Sequence, residues 1–186
     1  LFRSLENAER IKRDSTVVVD GISADDISAL PDASLSESLI RVSGVTANDG
    51  PRGPDAISIR GLGPDLSSTT VNGRLLATPN GGDRRISLAQ LPTEGISGAY
   101  VQKTPDAATI EGGVAGTLDL RTIHPLDTKR SGLTLVARLL TQDNSTALRD
   151  ARRYARFGAR AEATYVGRFT DNFGVALTYA SLNQFT

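Results

Sequence analysis

The hydrophobic rhythm of the chain changes once, near Lys129. Before that point short apolar runs of mixed period alternate with turn signals, and after it a period of two is sustained over long stretches. The early part opens on "TVVVD", which predicts a short strand over 16–20. Ser23 stands at the start of a helix over 24–30, with Asp25 and Asp26 in its first turn and Pro31 as its stop. Ser34 and Glu37 have the spacing of a capping box for a second helix, whose buried stripe is Leu35, Leu39 and Ile40. Gly44 then leads into a strand around Val45. Turn signals at Asp49-Gly50 and Arg52-Gly53-Pro54 precede a strand through Ile57 and Ile59. Asn72-Gly73 between two extended arms predicts a tight hairpin. A helical turn near 87–91 and the strand "ISGAYVQKT" come next, which makes the first two-thirds a mixed α+β domain.

That domain closes with "EGGVAGTLDLRTIHPLD", where Gly112, Gly113 and Gly116 precede an alternating run. Leu118 and Leu120 point one way, and Thr117, Asp119 and Arg121 the other, so the run reads as a strand. A phosphate-binding loop would need GxxxxGK[ST] feeding a helix N-terminus, and after Gly112 the first lysine is Lys129. The glycines instead predict special backbone angles or close approach to a neighbouring strand.

After Gly132 the alternation is plain. "LTLVARLL" places Leu133, Leu135, Ala137 and Leu139 on one face. "FGARAEATYVGRF" sets Phe157, Ala159, Ala161, Ala163, Tyr165 and Phe169 against Arg160, Glu162, Thr164 and Arg168. Phe173, Val175, Leu177 and Tyr179 repeat the scheme beyond the short turn at 170–172. Strands are expected over 132–141, 155–169 and 173–183. One apolar face, small or charged residues opposite and aromatics at the ends resemble outer-membrane barrel strands, although a soluble sandwich also alternates. Residues 147–156 also carry helical spacing with a basic stripe, so loop, helix and strand stay open there.

Composition narrows the function. In 186 residues, 21 basic and 21 acidic side chains cancel, which gives no whole-chain field toward nucleic acid. Cysteine is absent, and with it disulfides, thiolate metal sites and cysteine nucleophiles. The only histidine, His124, lies beside Pro125 and reads as structural or solvated. No acid pair, serine triad or metal cluster converges in the pattern, so neither an enzyme nor a cofactor is expected. No apolar run approaches the ~20 residues of a membrane helix, which leaves membrane-spanning strands open.

The ordered set "KRDSTVVVDGISADDISALPDASLSESLIRVSGV", "ISIRGLG", "TTVNGR" and "ISLAQLPTEGISGAYVQKTPDAATIEGGVAGTLDLRTIHPLD" resembles the plug of TonB-dependent outer-membrane receptors, from about Glu9 to Asp127. The resemblance implies a plug domain over 1–128 and the start of a transmembrane β-barrel over 129–186, a fragment of a plugged barrel of about 22 strands in the Gram-negative outer membrane. It implies partnership with TonB through an N-terminal segment, with outer-membrane lipid, and with a scarce solute such as a ferric siderophore; cobalamin and carbohydrate are the alternative substrate classes. In this reading the apex loops carrying Arg52, Asn80, Asp83, Arg84 and Arg85 meet the ligand. Arg60 matches the arginine of the family's "IRG" word and needs a carboxylate on the inner wall, for which Glu162 is a candidate. Glu94, Lys103, Glu111 and Arg121 match recurrent charged positions, and Gly61, Gly73, Gly112, Gly113 and Gly116 are structural. The small pair Gly98-Ala99 departs from the bulkier family pattern. Neither a signal peptide nor a TonB box precedes Leu1, and three strands leave open edges, so the expectation is a receptor fragment or a truncated product. The runner-up is a soluble or periplasmic plug-like binding or signalling module. Further alternating strands after Thr186 would favour the receptor, and a stop codon there the module.

Overall fold

The computed structural model describes residues 10, 12–15, 17–23, 35–50, 53–78, 84–88, 91, 93, 95–107, 110–111, 113–127, 131–141 and 157–183. The expected helix over 24–30, the Ser34 cap of the second helix and the ambiguous stretch 147–156 lie outside them. The chain divides into two compact units, Leu1–Ile123 and His124–Thr186.

In the first unit the described elements are β1 (Val19–Ser23), α1 (Leu35–Leu39), β2 (Val45–Gly50), β3 (Gly53–Ile59), a 3-10 turn (Pro64–Leu66), β4 (Ser67–Val71), β5 (Arg74–Leu75), β6 (Ile96–Gln102) and β7 (Gly116–Thr122). Five strands form a sheet in the order β1-β6-β7-β4-β5, and β2 and β3 form a separate hairpin. All pairings are antiparallel except β4 with β7, which run parallel from Ser67↔Gly116 to Val71↔Leu120. One core joins Leu35 and Leu39 of α1, Ile57 and Ile59 of β3, and Val101, Leu118 and Leu120 of the sheet. Each such side chain contributes roughly 1.5–3 kcal/mol when fully buried. The alternation expected for β7 is present: Leu118 and Leu120 are buried, while Arg121 on the other face is exposed.

Two local expectations are corrected. Ile40 is not part of the buried stripe; it is 47% exposed and Val42 takes its place in the core. After Leu39 the chain tightens to i→i+3 bonds, Arg41 N–H to Ser38 O and Val42 N–H to Leu39 O, and that winding stacks Val42 over Leu39 and turns Ile40 outward. The first strand is also displaced, to Val19–Ser23 instead of 16–20. Its register against β6 puts Ile22 opposite Ala99 and Gly21 opposite Tyr100, so the core selects Ile22 rather than the valine run.

The second unit holds a 3-10 turn (Pro125–Asp127), β8 (Gly132–Thr141), β9 (Phe157–Arg168) and β10 (Gly174–Asn183), paired antiparallel in the order β10-β9-β8. The two-residue period generates uniform rows across the three strands: Leu133–Tyr165–Leu177, then Thr134–Thr164–Thr178, then Leu135–Ala163–Tyr179. Burial runs opposite to that of a water-soluble sheet. Leu133, Leu135, Leu139, Leu177 and Tyr179 are exposed, whereas Arg160 is only 8% exposed. A sheet with its leucine rows outward and its central Arg160–Glu162 pair covered suits lipid rather than water as the outer solvent. Among the described residues no helix is long and apolar enough to cross a membrane.

Candidate functional site

The glycine-rich segment before β7 is fixed by the turn that succeeds β3. Arg60 and Gly61 both take positive φ, 56° and 74°, and Leu62 N–H closes the turn on Ile59 O. A left-handed arginine costs about 1 kcal/mol. The turn is held by Arg60 N–H on Gly44 O at 2.8 Å and by the side chain itself. Arg60 Nε and Nη2 donate to Ala115 O at 3.1 and 3.0 Å, and Nη2 also reaches Val114 O at 3.3 Å. Ala115 N–H in turn donates to Leu66 O. The carbonyls of 114 and 115 thus take the Nε and Nη2 donors of this guanidinium.

The glycines permit this arrangement by close approach. A Cβ on Gly113 would stand 2.1 Å from Gly116 O and 3.0 Å from Ser68 N. Gly116 has φ +146°, and a Cβ there would meet Gln102 O at 2.7 Å. Just beyond, the buried hydroxyls of Ser68 and Thr117 hydrogen-bond at 2.9 Å across the parallel pair. Gly112 lies outside the described residues.

Asp119 on β7 organises the polar face of the sheet, a role the sequence reading missed. Its Oδ1 accepts from Thr70 Oγ1 at 2.7 Å and from Gly73 N–H at 2.9 Å, and its Oδ2 meets Arg121 Nε at 3.2 Å. The hairpin expected at Asn72-Gly73 is present, with φ of 52° and 75°. It is tied to β7 a second time, because Thr122 N–H donates to Asn72 Oδ1 and Asn72 Nδ2 donates to Thr122 Oγ1. Arg121 also lies over the Tyr100 ring, 4.7 Å from its centroid, in cation–π geometry. A Cβ on Gly21 or Gly98 would strike that ring at 2.6 or 3.1 Å, which explains the small residue at 98. Burial raises the Tyr100 hydroxyl pKa, with Arg121 opposing the rise and Asp119 adding to it. The alternation of "TLDLR" put Asp119 on the polar face, but its partners lie about fifty residues away in the chain.

Lys103, at the end of β6, bridges Asp20 Oδ2 at 2.6 Å, and Lys12 bridges Oδ1 at the same distance. These hydrogen bonds, that of Lys103 first, hold the Asp20 carboxyl below the usual aspartate range. Arg84 and Arg85 are exposed and are succeeded by the buried anchors Ile86 and Leu88. Arg84 and Glu111 line two cavities, one of about 410 Å³ with Thr104, Asp106 and Thr117, the other of about 370 Å³ with Ser67, Ser68 and Thr78. Arg52, Asn80, Asp83 and Glu94 lie outside the described residues. On β9, Glu162 is paired with Arg160, and Arg138 is in register beside Arg160. Among the described residues no group of His, Asp or Glu has metal-site geometry.

The chain matches the TonB-dependent Receptor Plug Domain family over residues 11–117. A comparison with curated protein sequences returned no match. Among solved structures, the siderophore receptor PirA from Pseudomonas aeruginosa is similar at 22% identity and a TM-score of 0.60, covering 88% of this chain and 28% of that one. A mutant of the ferric enterobactin receptor PfeA from Pseudomonas aeruginosa is similar at 21% identity and a TM-score of 0.61, over 92% of this chain and 25% of that one. The unliganded ferric citrate transporter FecA is similar at 21% identity and a TM-score of 0.72, over 94% of this chain and 26% of that one. The chain therefore spans about a quarter of the length of these proteins, and the shared fold includes both the mixed unit and the first wall strands. With its residues 11–117 matched by the plug family and its second unit folded as three antiparallel strands, the chain belongs to the TonB-dependent receptors of the outer membrane.

Proposed function

We propose that the chain is the plug and opening wall of a receptor that takes up a scarce solute from outside the cell, with energy delivered through TonB. The observation that carries this reading is the joining, in one chain, of a clamped plug fold to a sheet with exposed leucine rows and a covered Arg160–Glu162 pair. Such a plug closes a lumen at rest and must move for a solute to pass. No covalent chemistry on the solute is needed; binding energy and mechanical work suffice.

For the solute we propose a ferric siderophore. Arg84 and Arg85 are exposed in the segment expected near the plug apex, and Arg52 belongs to the neighbouring expected loop. Cationic side chains at a partly dewatered mouth attract anionic chelates. Three similar structures are those of a siderophore receptor, a ferric enterobactin receptor and a ferric citrate transporter, which supports the same class. Equilibrium binding of ferric siderophores, cobalamin and oligosaccharides to the intact receptor tests the proposal. The expected result is binding of an anionic ferric chelate that Arg52→Ala and Arg84→Ala weaken, by less at high salt than at low. Salt-insensitive binding of a neutral oligosaccharide alone, unchanged by either substitution, would overturn the siderophore assignment and leave the uptake reading standing.

A further inference from the structure

The strand β1 is attached to the sheet differently from its neighbours. Among the described residues it lies at the sheet edge and pairs only with β6. Its main apolar anchor is Ile22; Val18, just before it, is 55% exposed. Beyond its ladder to β6, the backbone bonds of Val18 to Lys103 N–H and Thr104 Oγ1, and the buried Ser23, its charged anchor is Asp20, which shares a face with Ile22 and sits where the apolar row of β6 gives way to Lys103. The Lys103 and Asp20 side chains are 13% and 20% exposed, so this pair is shielded, whereas Lys12 on the second oxygen is 68% exposed. Shielded charge-assisted bonds are stronger than surface pairs. Among the described residues, the charged groups meeting Asp20 are Lys103 from the end of β6 and Lys12 from the segment before β1.

We propose that β1 is a releasable strand, clasped to the sheet by the Lys12–Asp20–Lys103 cluster more than by the core, so that loss of the clasp frees β1 while the remaining sheet stays folded. The remaining sheet has its own support. β6 stays paired to β7 along Tyr100↔Asp119 and Val101↔Leu118, and Arg60 and Asp119 fix β4, β5 and β7 without touching β1. Release of β1 removes Gly21 from beneath the Tyr100 ring and opens the free edge of β6. The clasp is complete at neutral pH. Because the folded Asp20 pKa is depressed, its stabilisation is present above the unfolded value of about 3.9 and fades as the pH falls below that toward the folded value.

Amide hydrogen exchange on the intact chain, with residues 35–50 and 116–122 as internal references, tests this. Asp20→Asn and Lys103→Met should each speed exchange across Val19–Ser23 about tenfold and leave the references unchanged. Lys12→Ala should have a smaller effect that high salt erases. The swapped pair Asp20→Lys with Lys103→Asp should restore part of the protection. Unchanged exchange in β1, an equal rise in β7, or loss of the whole fold in Asp20→Asn would each overturn the proposal.

Discussion

At the scale of single residues, the plug depends on positions where backbone meets backbone. Gly113 and Gly116 carry the sharpest constraint, since each Cβ would fall within 3 Å of a carbonyl oxygen that secondary structure holds in place. Neither neighbour is a flexible side chain, so the clash cannot be relieved by a rotamer change. Gly113→Ala and Gly116→Ala are each expected to cost about 3 kcal/mol in chemical denaturation of the plug. Gly132, whose Cβ would meet open space, should tolerate alanine and serves as the control. The glycines were legible in the sequence as a need for close approach, but the identity of the approaching atoms was not. Arg60 shows the same division. Its "IRG" word marks it as special, yet its carbonyl partners at 114 and 115 depend on a left-handed turn that no residue pattern announces.

At the scale of elements, β8, β9 and β10 show how far a period of two can be trusted. The expected strands 132–141, 155–169 and 173–183 correspond to Gly132–Thr141, Phe157–Arg168 and Gly174–Asn183. Alternation alone names two faces without saying which meets solvent. Chemistry and burial together assign them here: the exposed leucine rows are apolar, the equally exposed threonine row on the other face is polar, and the Arg160–Glu162 pair of that second face is covered. Leu135→Arg should therefore hinder insertion by roughly 2–4 kcal/mol if its row lies near the bilayer midplane. Thr134→Arg, one residue away on the threonine row, should cost far less. Folding titrations into lipid vesicles would read the difference, and equal penalties for the two would refute the assignment of faces.

At the scale of the whole molecule, orientation in the membrane becomes testable. The turn at 170–172 is short, tied by Arg168 Nη2 to Asp171 Oδ1 at 2.7 Å and flanked by Phe169 and Phe173, whose ring centroids lie 5.9 Å apart. Outer-membrane barrels keep short turns on the periplasmic side and long loops outside. We expect 170–172 in the periplasm and 142–153 outside the cell. The chain has no cysteine, so single cysteines at Asp171 and at Asn144 give clean labelling sites. An impermeant thiol reagent on intact cells should label position 144 and spare 171, and the reverse pattern would invert the orientation.

Local patterning was enough to give the mixed domain, the tight hairpin, the three long strands and the family resemblance, because each rests on residues close together in the chain. Side-chain period, turn chemistry and the order of motifs are local properties, and they survive without knowledge of distant partners. The parallel β4–β7 pairing, the Asp119 hub, the Arg60 clamp and the Asp20 clasp join residues 46 to 83 positions apart in most of their bonds. Such contacts depend on which strands the core brings side by side, and many registers satisfy the same alternation. The same physics displaced β1 toward Ile22 and turned Ile40 outward: burial at a particular depth in the core outweighed local propensity. The period of the wall strands was a matter of sequence, but the covering of Arg160 and Glu162 on one of their faces was settled only when the chain folded.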